Sequence, residues 1–154
     1  MEIINLKKEN LDSINIVLQD CFGISTEYEE DKIHLGITDI VSYVSLLPLE
    51  LKVQNKNIKI VGICALSTLS KFRGRGGHAS KLIQKSLQWA KENMIDFVAL
   101  YGDCNFYSKF GFKKIPNLYG KNNIMIYIVN EDFNLEDIFS KVWMDNVWGN
   151  MPKF

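Results

Sequence analysis

Lys71-Phe72-Arg73-Gly74-Arg75-Gly76-Gly77-His78-Ala79 is the stretch on which the reading of the fold turns. Three glycines and three basic residues fall within positions 71–77, more than a simple connection needs. Beyond the stretch, Leu82, Ile83, Leu87 and Ala90 recur at helical spacing, which predicts a helix over 79–93. Before it lies an apolar run over 58–66, and after the helix a second over 96–101, both read as strands. Strand, glycine-rich loop, helix and strand in that order make a β-α-β unit whose two strands are parallel neighbours.

Working outward, residues 2–6 are a candidate first strand. Asn10 is placed to cap a helix carrying Leu11, Ile14, Val17, Leu18 and Phe22, with Gly23 at its end. The acidic run Glu27-Tyr28-Glu29-Glu30-Asp31 has no period and reads as a loop or short helix. Residues 40–47 and 49–53 read as two strands, with a bend at Pro48 because proline cannot donate to a ladder. Residues 54–57 form a turn. Residues 105–110 predict a short helix ending at Gly111, with Phe106 and Phe110 turned into the core, and 123–129 predict a last strand. Asn134 then caps an amphipathic helix bearing Leu135, Ile138, Phe139, Val142 and Trp143. That helix has three readings: core, contact in a homodimer, or closure of an acceptor site.

The composition fits one α/β domain over residues 1–154, a length that buries a sizeable core. Eighteen basic residues balance eighteen acidic ones, so no nucleic-acid surface built on overall charge is expected. No apolar run approaches the roughly 18–20 residues of a membrane span, and the opening Met1-Glu2-Ile3-Ile4-Asn5 has no basic region followed by an apolar core, so no membrane partner is expected. Cys21, Cys64 and Cys104 are far apart, which predicts neither a disulfide framework nor a metal site, and suits a reducing, cytoplasmic location.

A glycine-rich turn opening a helix aims several backbone N–H groups, and the positive end of the helix dipole, at one point, which suits a phosphate or pyrophosphate. A P-loop is excluded because no Gly-Lys-Ser/Thr closes the turn. Gly74-x-Gly76-x-x-Ala79 matches a loose dinucleotide fingerprint, with Asp103 where a ribose-binding acid would stand, but Ser67 to Arg73 intervenes where that fingerprint has a strand ending on its first glycine. His78 reads as a helix-start residue near phosphate, and His34 as a surface or satisfied core residue. The acidic run reads as a solvated face, as an attraction for a cationic amine or as the source of a general base. Cys104 reads as a small buried cysteine in preference to a nucleophile, since no histidine is placed as its base.

Leu66-Ser67-Thr68, Phe72-Arg73-Gly74-Arg75-Gly76, Ala79-Ser80-Lys81-Leu82-Ile83 and Asn105-Phe106-Tyr107-Ser108-Lys109-Phe110-Gly111-Phe112 together resemble the acetyl-CoA site of the GNAT (general N-acetyltransferase) superfamily. The order Val41-Ser42, Pro48, Ile60-Val61-Gly62-Ile63 before the loop is similar to the N-terminal domain of the enhanced-intracellular-survival acetyltransferases and their single-domain bacterial relatives. The resemblance covers about residues 40–115. The family pattern Arg/Gln-x-x-Gly-x-Gly/Ala gives Gly76 and His78 when counted from Arg73, and Gly77 and Gly74 when counted back from Ala79, so Gly76-Gly77 is read as a one-residue insertion.

The resemblance implies a mixed, twisted sheet flanked by helices, and transfer of an acetyl group from acetyl-CoA directly to the amine of a small molecule or peptide. It implies that Arg73, Gly74, Arg75, Gly76, Gly77, His78, Ala79 and Ser80 hold the pyrophosphate. The strand ending Leu66-Ser67-Thr68 then diverges from residues 97–101 to take the pantetheine arm, while Gly102, Asp103 and Asn105 line the cofactor. A backbone N–H of the splayed strand would hold the carbonyl oxygen, a contribution on the order of 3 kcal/mol. Tyr107 would return a proton to the departing thiolate; the alternative for Tyr107 is plain aromatic packing. A module of the same fold that binds CoA or acyl-CoA as a sensor is the competing reading, and a dinucleotide-binding domain the third.

Overall fold

The computed structural model describes residues 2–53, 55–115 and 124–133. Seven strands, β1 (Ile3–Leu6), β2 (Ile33–Ile37), β3 (Ser42–Val53), β4 (Lys56–Thr68), β5 (Phe97–Tyr101), β6 (Lys113–Lys114) and β7 (Ile124–Ile128), hydrogen-bond in the order β1-β2-β3-β4-β5-β7-β6. Among the described residues the α-helices are α1 (Leu11–Phe22), α2 (His78–Glu92) and α3 (Cys104–Tyr107). β2 is antiparallel to β1 and β3, β7 is antiparallel to β5 and β6, and β4 and β5 are parallel with Ile60 opposite Phe97 and Gly62 opposite Ala99. The expected β-α-β unit is thus β4-α2-β5, in a mixed sheet flanked by helices.

The chain forms two compact units, one from residues up to Leu47 with Ile63–Leu87, the other from Pro48–Gly62 with the described residues from Gln88 onward. In the first, Ile14, Val17 and Leu18 of α1 pack with Leu6 and Tyr43. Each such buried side chain is worth roughly 1.5–3 kcal/mol of removed apolar surface. Gly23 ends α1 at φ +65°, its N–H on the Gln19 carbonyl at 3.0 Å. In the second, Ile58, Ile60, Phe97, Ala99, Ile115, Ile124 and Ile126 form the core. There Asp96 receives the Lys59 N–H at 2.8 Å and the Asn130 amide at 3.0 Å, tying β4, β5 and the end of β7 at one level.

Several elements depart from the sequence expectation. Asn10 stands before α1, but its side chain accepts the Lys7 N–H at 2.9 Å and does not cap the helix, which is entered through a 3-10 turn over Lys8–Asn10. β2 follows the acidic run where no strand was expected. β3 is one strand, because β2 pairs with it only as far as Leu46 and Pro48, exposed beyond that point, is asked for no N–H on that side. β6 is a two-residue strand absent from the sequence reading. Among the described aromatic residues after α3 begins, Phe112 is the buried one, and Phe106 and Phe110 are half-buried. The helix expected from Asn134 lies outside the described residues, as does Asn123.

His34, buried on β2, bonds the Glu29 carbonyl through Nε2 at 2.8 Å and the Tyr43 hydroxyl through Nδ1 at 2.6 Å. A carbonyl can only accept, so Nε2 carries the hydrogen and Nδ1 accepts from Tyr43. Both ring nitrogens are occupied within the fold, as suits a satisfied core histidine. Burial pushes the Tyr43 phenol far above its ordinary value of 10.0. Because the folded chain keeps this proton where the unfolded chain loses it, the contribution is complete below about pH 10. It then falls with rising pH by about 1.4 kcal/mol per unit until the folded value is reached. A series of urea midpoints between about pH 8 and 11 should therefore drop steeply at the alkaline end. The drop should be shallower in Tyr43→Phe; equal slopes in the two proteins would contradict the assignment.

Candidate acetyl-CoA site

In the first unit the end of β4 is bent and heavily tied. Ala65 sits at φ +54°, a left-handed conformation rare for a residue with a side chain, and its carbonyl accepts the Ser67 hydroxyl at 2.9 Å. Ser67 and Thr68 are buried and Leu66 is half-buried. Ser42 donates to the Ser67 carbonyl at 2.8 Å, so the Thr68 hydroxyl, also 2.8 Å from it, donates to Ser42. The Thr68 carbonyl accepts from the Cys21 thiol at 3.1 Å and from Arg73 Nε at 2.9 Å, and Arg73 Nη2 reaches Cys21 Sγ at 3.2 Å.

The loop itself begins with a 3-10 turn over Ser70–Phe72. Asp20 of α1 receives both the Ser70 N–H, at 2.8 Å, and the Ser70 hydroxyl, at 2.7 Å. Those two bonds, with help from the Arg73 charge, hold the Asp20 carboxyl below the usual carboxylate range. Gly74, Gly76 and Gly77 follow at φ +72°, +79° and +66°. Only glycine adopts three such conformations within four residues without strain, and the result is an exposed run of backbone opening straight into the fifteen-residue α2. Arg75 is exposed. His78 heads α2 with its ring edge-on to Phe72 at 6.0 Å, and its buried Nδ1 has no hydrogen-bond partner among the described residues. Ala79 and Ser80 are half-buried in the first turn.

In the second unit, Asp103 caps α3 by accepting the Asn105 N–H at 2.9 Å. The Tyr107 ring lies against Gly102 so closely that a Cβ there would collide with it. Phe106 and Phe112 flank the ring at 4.9 and 5.9 Å. Burial first, and the Asp103 charge second, raise the Tyr107 phenol above its ordinary value, so it is neutral at pH 7. Cys104 is half-buried and unbridged.

Among the described residues no group of three or more His, Cys, Asp or Glu could hold a metal ion, and no helix is long and apolar enough to cross a membrane. The residues present fit the phosphates of a nucleotide cosubstrate: three left-handed glycines in an exposed run of backbone, the start of α2 at His78 and an exposed Arg75. The sequence reading singled out the glycines but gave no site role to Asp20, Cys21 or Ser42, whose roles come from contacts between residues 25–52 positions apart.

Residues 2–115 match the acetyltransferase (GNAT) domain family, and the chain belongs to it. No curated protein was found to match. Among solved structures, a GNAT family N-acetyltransferase of Escherichia coli in complex with CoA is 21% identical, with 85% of this chain and 82% of that one covered and a TM-score of 0.66. A GNAT family acetyltransferase of Brucella melitensis in complex with acetyl-CoA is 16% identical, with 86% and 90% covered and a TM-score of 0.65. A probable N-acyltransferase of Enterococcus faecalis gives 16% identity and a TM-score of 0.66 over 73% of this chain, which spans only 32% of that protein's length. These likenesses concern the fold.

Proposed function

We propose that the chain is one cytoplasmic domain that transfers the acetyl group of acetyl-CoA directly to the amine of a small molecule or peptide, and that its pattern is nearest to the N-terminal domain of the enhanced-intracellular-survival acetyltransferases. The observation that carries the reading is the trio of left-handed glycines leading into α2 in a chain of this family. Acetyl-CoA supplies the activated acetyl group. The N–H groups of residues 75–80 and the Arg75 guanidinium hold its pyrophosphate, and the bent end of β4 at Leu66, Ser67 and Thr68 offers backbone groups to the pantetheine arm. Gly102, Asp103 and Asn105 line the cosubstrate, and Tyr107 delivers the proton that the departing thiolate needs.

The test has two stages. Acetyl-CoA and CoA should raise the melting temperature, by linkage, where NAD and NADP do not. A panel of amines scored by CoA release should then find an acceptor; stabilisation without release across the panel would assign a binding module instead. Direct attack also predicts that Cys104→Ala keeps most of the activity and that no acetyl-enzyme accumulates without acceptor. Mass spectrometry finding an acetyl group on Cys104 that an amine discharges would reverse that assignment.

A further inference from the structure

Arg73 stands exposed in the basic loop, and two of its guanidinium donors are held within the fold: Nε by the Thr68 carbonyl at 2.9 Å and Nη2 by the Cys21 sulfur at 3.2 Å. Asp20, one residue before Cys21 on the last turns of α1, receives both donors of Ser70 on one oxygen. Two adjacent residues of α1 therefore fix the segment that feeds Gly74, Gly76 and Gly77. Three glycines make that loop entropically costly to order, so a scaffold that orders its entry in advance raises the fraction of molecules ready for an anion.

We propose that Asp20 and Arg73 are positioning residues that hold the glycine-rich loop in its anion-binding form, Arg73 through the Thr68 carbonyl and not as a charge laid on phosphate. The proposal rests on the acetyl-CoA reading above. When only a fraction of molecules is competent, the apparent dissociation constant rises by the inverse of that fraction, while turnover at saturation is unchanged.

The test is calorimetric titration with acetyl-CoA, well below the melting midpoint, at several salt concentrations. Asp20→Ala should weaken binding about ten-fold with kcat at saturation kept. Asp20→Asn, whose amide oxygen can accept the same two bonds, should restore most of the affinity. Ser70→Ala, which removes only the hydroxyl half of the contact, should fall between them and covers the case in which Asp20→Ala does not fold. Arg75→Gln should flatten the salt dependence of binding, because a phosphate charge contact is lost. Arg73→Gln should weaken binding and leave that dependence as steep as in the unaltered chain. Unchanged affinity in Asp20→Ala and Ser70→Ala, or a salt dependence flattened as much by Arg73→Gln as by Arg75→Gln, would overturn the proposal and leave the acetyl-CoA reading standing. No binding of acetyl-CoA by the unaltered chain would overturn both.

Discussion

Tyr107→Phe is expected to lower kcat by about 10²–10⁴-fold, with the affinity for acetyl-CoA nearly unchanged. The substitution keeps the ring that rests on Gly102 between Phe106 and Phe112 and deletes only the hydroxyl. A phenol held above 10.0 by burial and by Asp103 is a full-time donor at neutral pH. A thiolate whose acid lies at about 8.5, on the cysteine reference, is a competent acceptor. The loss corresponds to about 3–5 kcal/mol of transition-state stabilisation. Activity that needs the protonated phenol should hold through neutral pH, and any alkaline limb due to Tyr107 should lie above the ordinary tyrosine value. Full turnover in Tyr107→Phe, measured where chemistry limits the rate, would show that the tyrosine only packs.

The second large effect is expected at Gly76. A β-branched residue at φ +79° is strained on its own account, and on the proposed reading its side chain would obstruct a phosphate approaching the backbone. Gly76→Val should weaken acetyl-CoA binding by about 30-fold or more, on the order of 2 kcal/mol. Asparagine tolerates the left-handed region, so Gly76→Asn separates the two causes. If strain alone matters, asparagine recovers most of the affinity; if backbone approach matters, both variants bind poorly. Affinity unchanged in a folded Gly76→Val protein would remove the loop from the site.

The parts of the fold legible in the sequence are those where one period rules. α2 was legible from Leu82, Ile83, Leu87 and Ala90, all buried as the spacing requires, and α1 from its apolar stripe and the glycine that ends it. β2 was not. Four of its five residues are buried, so it lacks the alternation of a half-exposed strand. It also contains Gly36, where a Cβ would stand 2.8 Å from Leu6 Cδ1, so close packing demands the residue that propensity disfavours. Pro48 misled for the opposite reason, since a strand tolerates proline past the point where its neighbour stops pairing. At the site, the loop glycines announced themselves through composition. The bent Ala65 and the ties from Asp20, Cys21 and Ser42 are products of tertiary contact that no local pattern encodes.

The position of β7 bears on how the polypeptide can be shortened. It comes after β6 in the chain but lies inside it, against β5, pairing Phe97 with Ile128 through Tyr101 with Ile124. The family match ends at residue 115, before this strand begins. A fragment cut at that boundary would present one edge of β5 without a partner, although Phe97, Val98, Ala99 and Leu100 are at most 1% exposed in the whole chain. Such an apolar, unpaired edge recruits strands from other molecules. During synthesis the same edge would stay unpaired until residues 124–128 have left the ribosome, so this half of the sheet can close only with a segment beyond the residues that match the family.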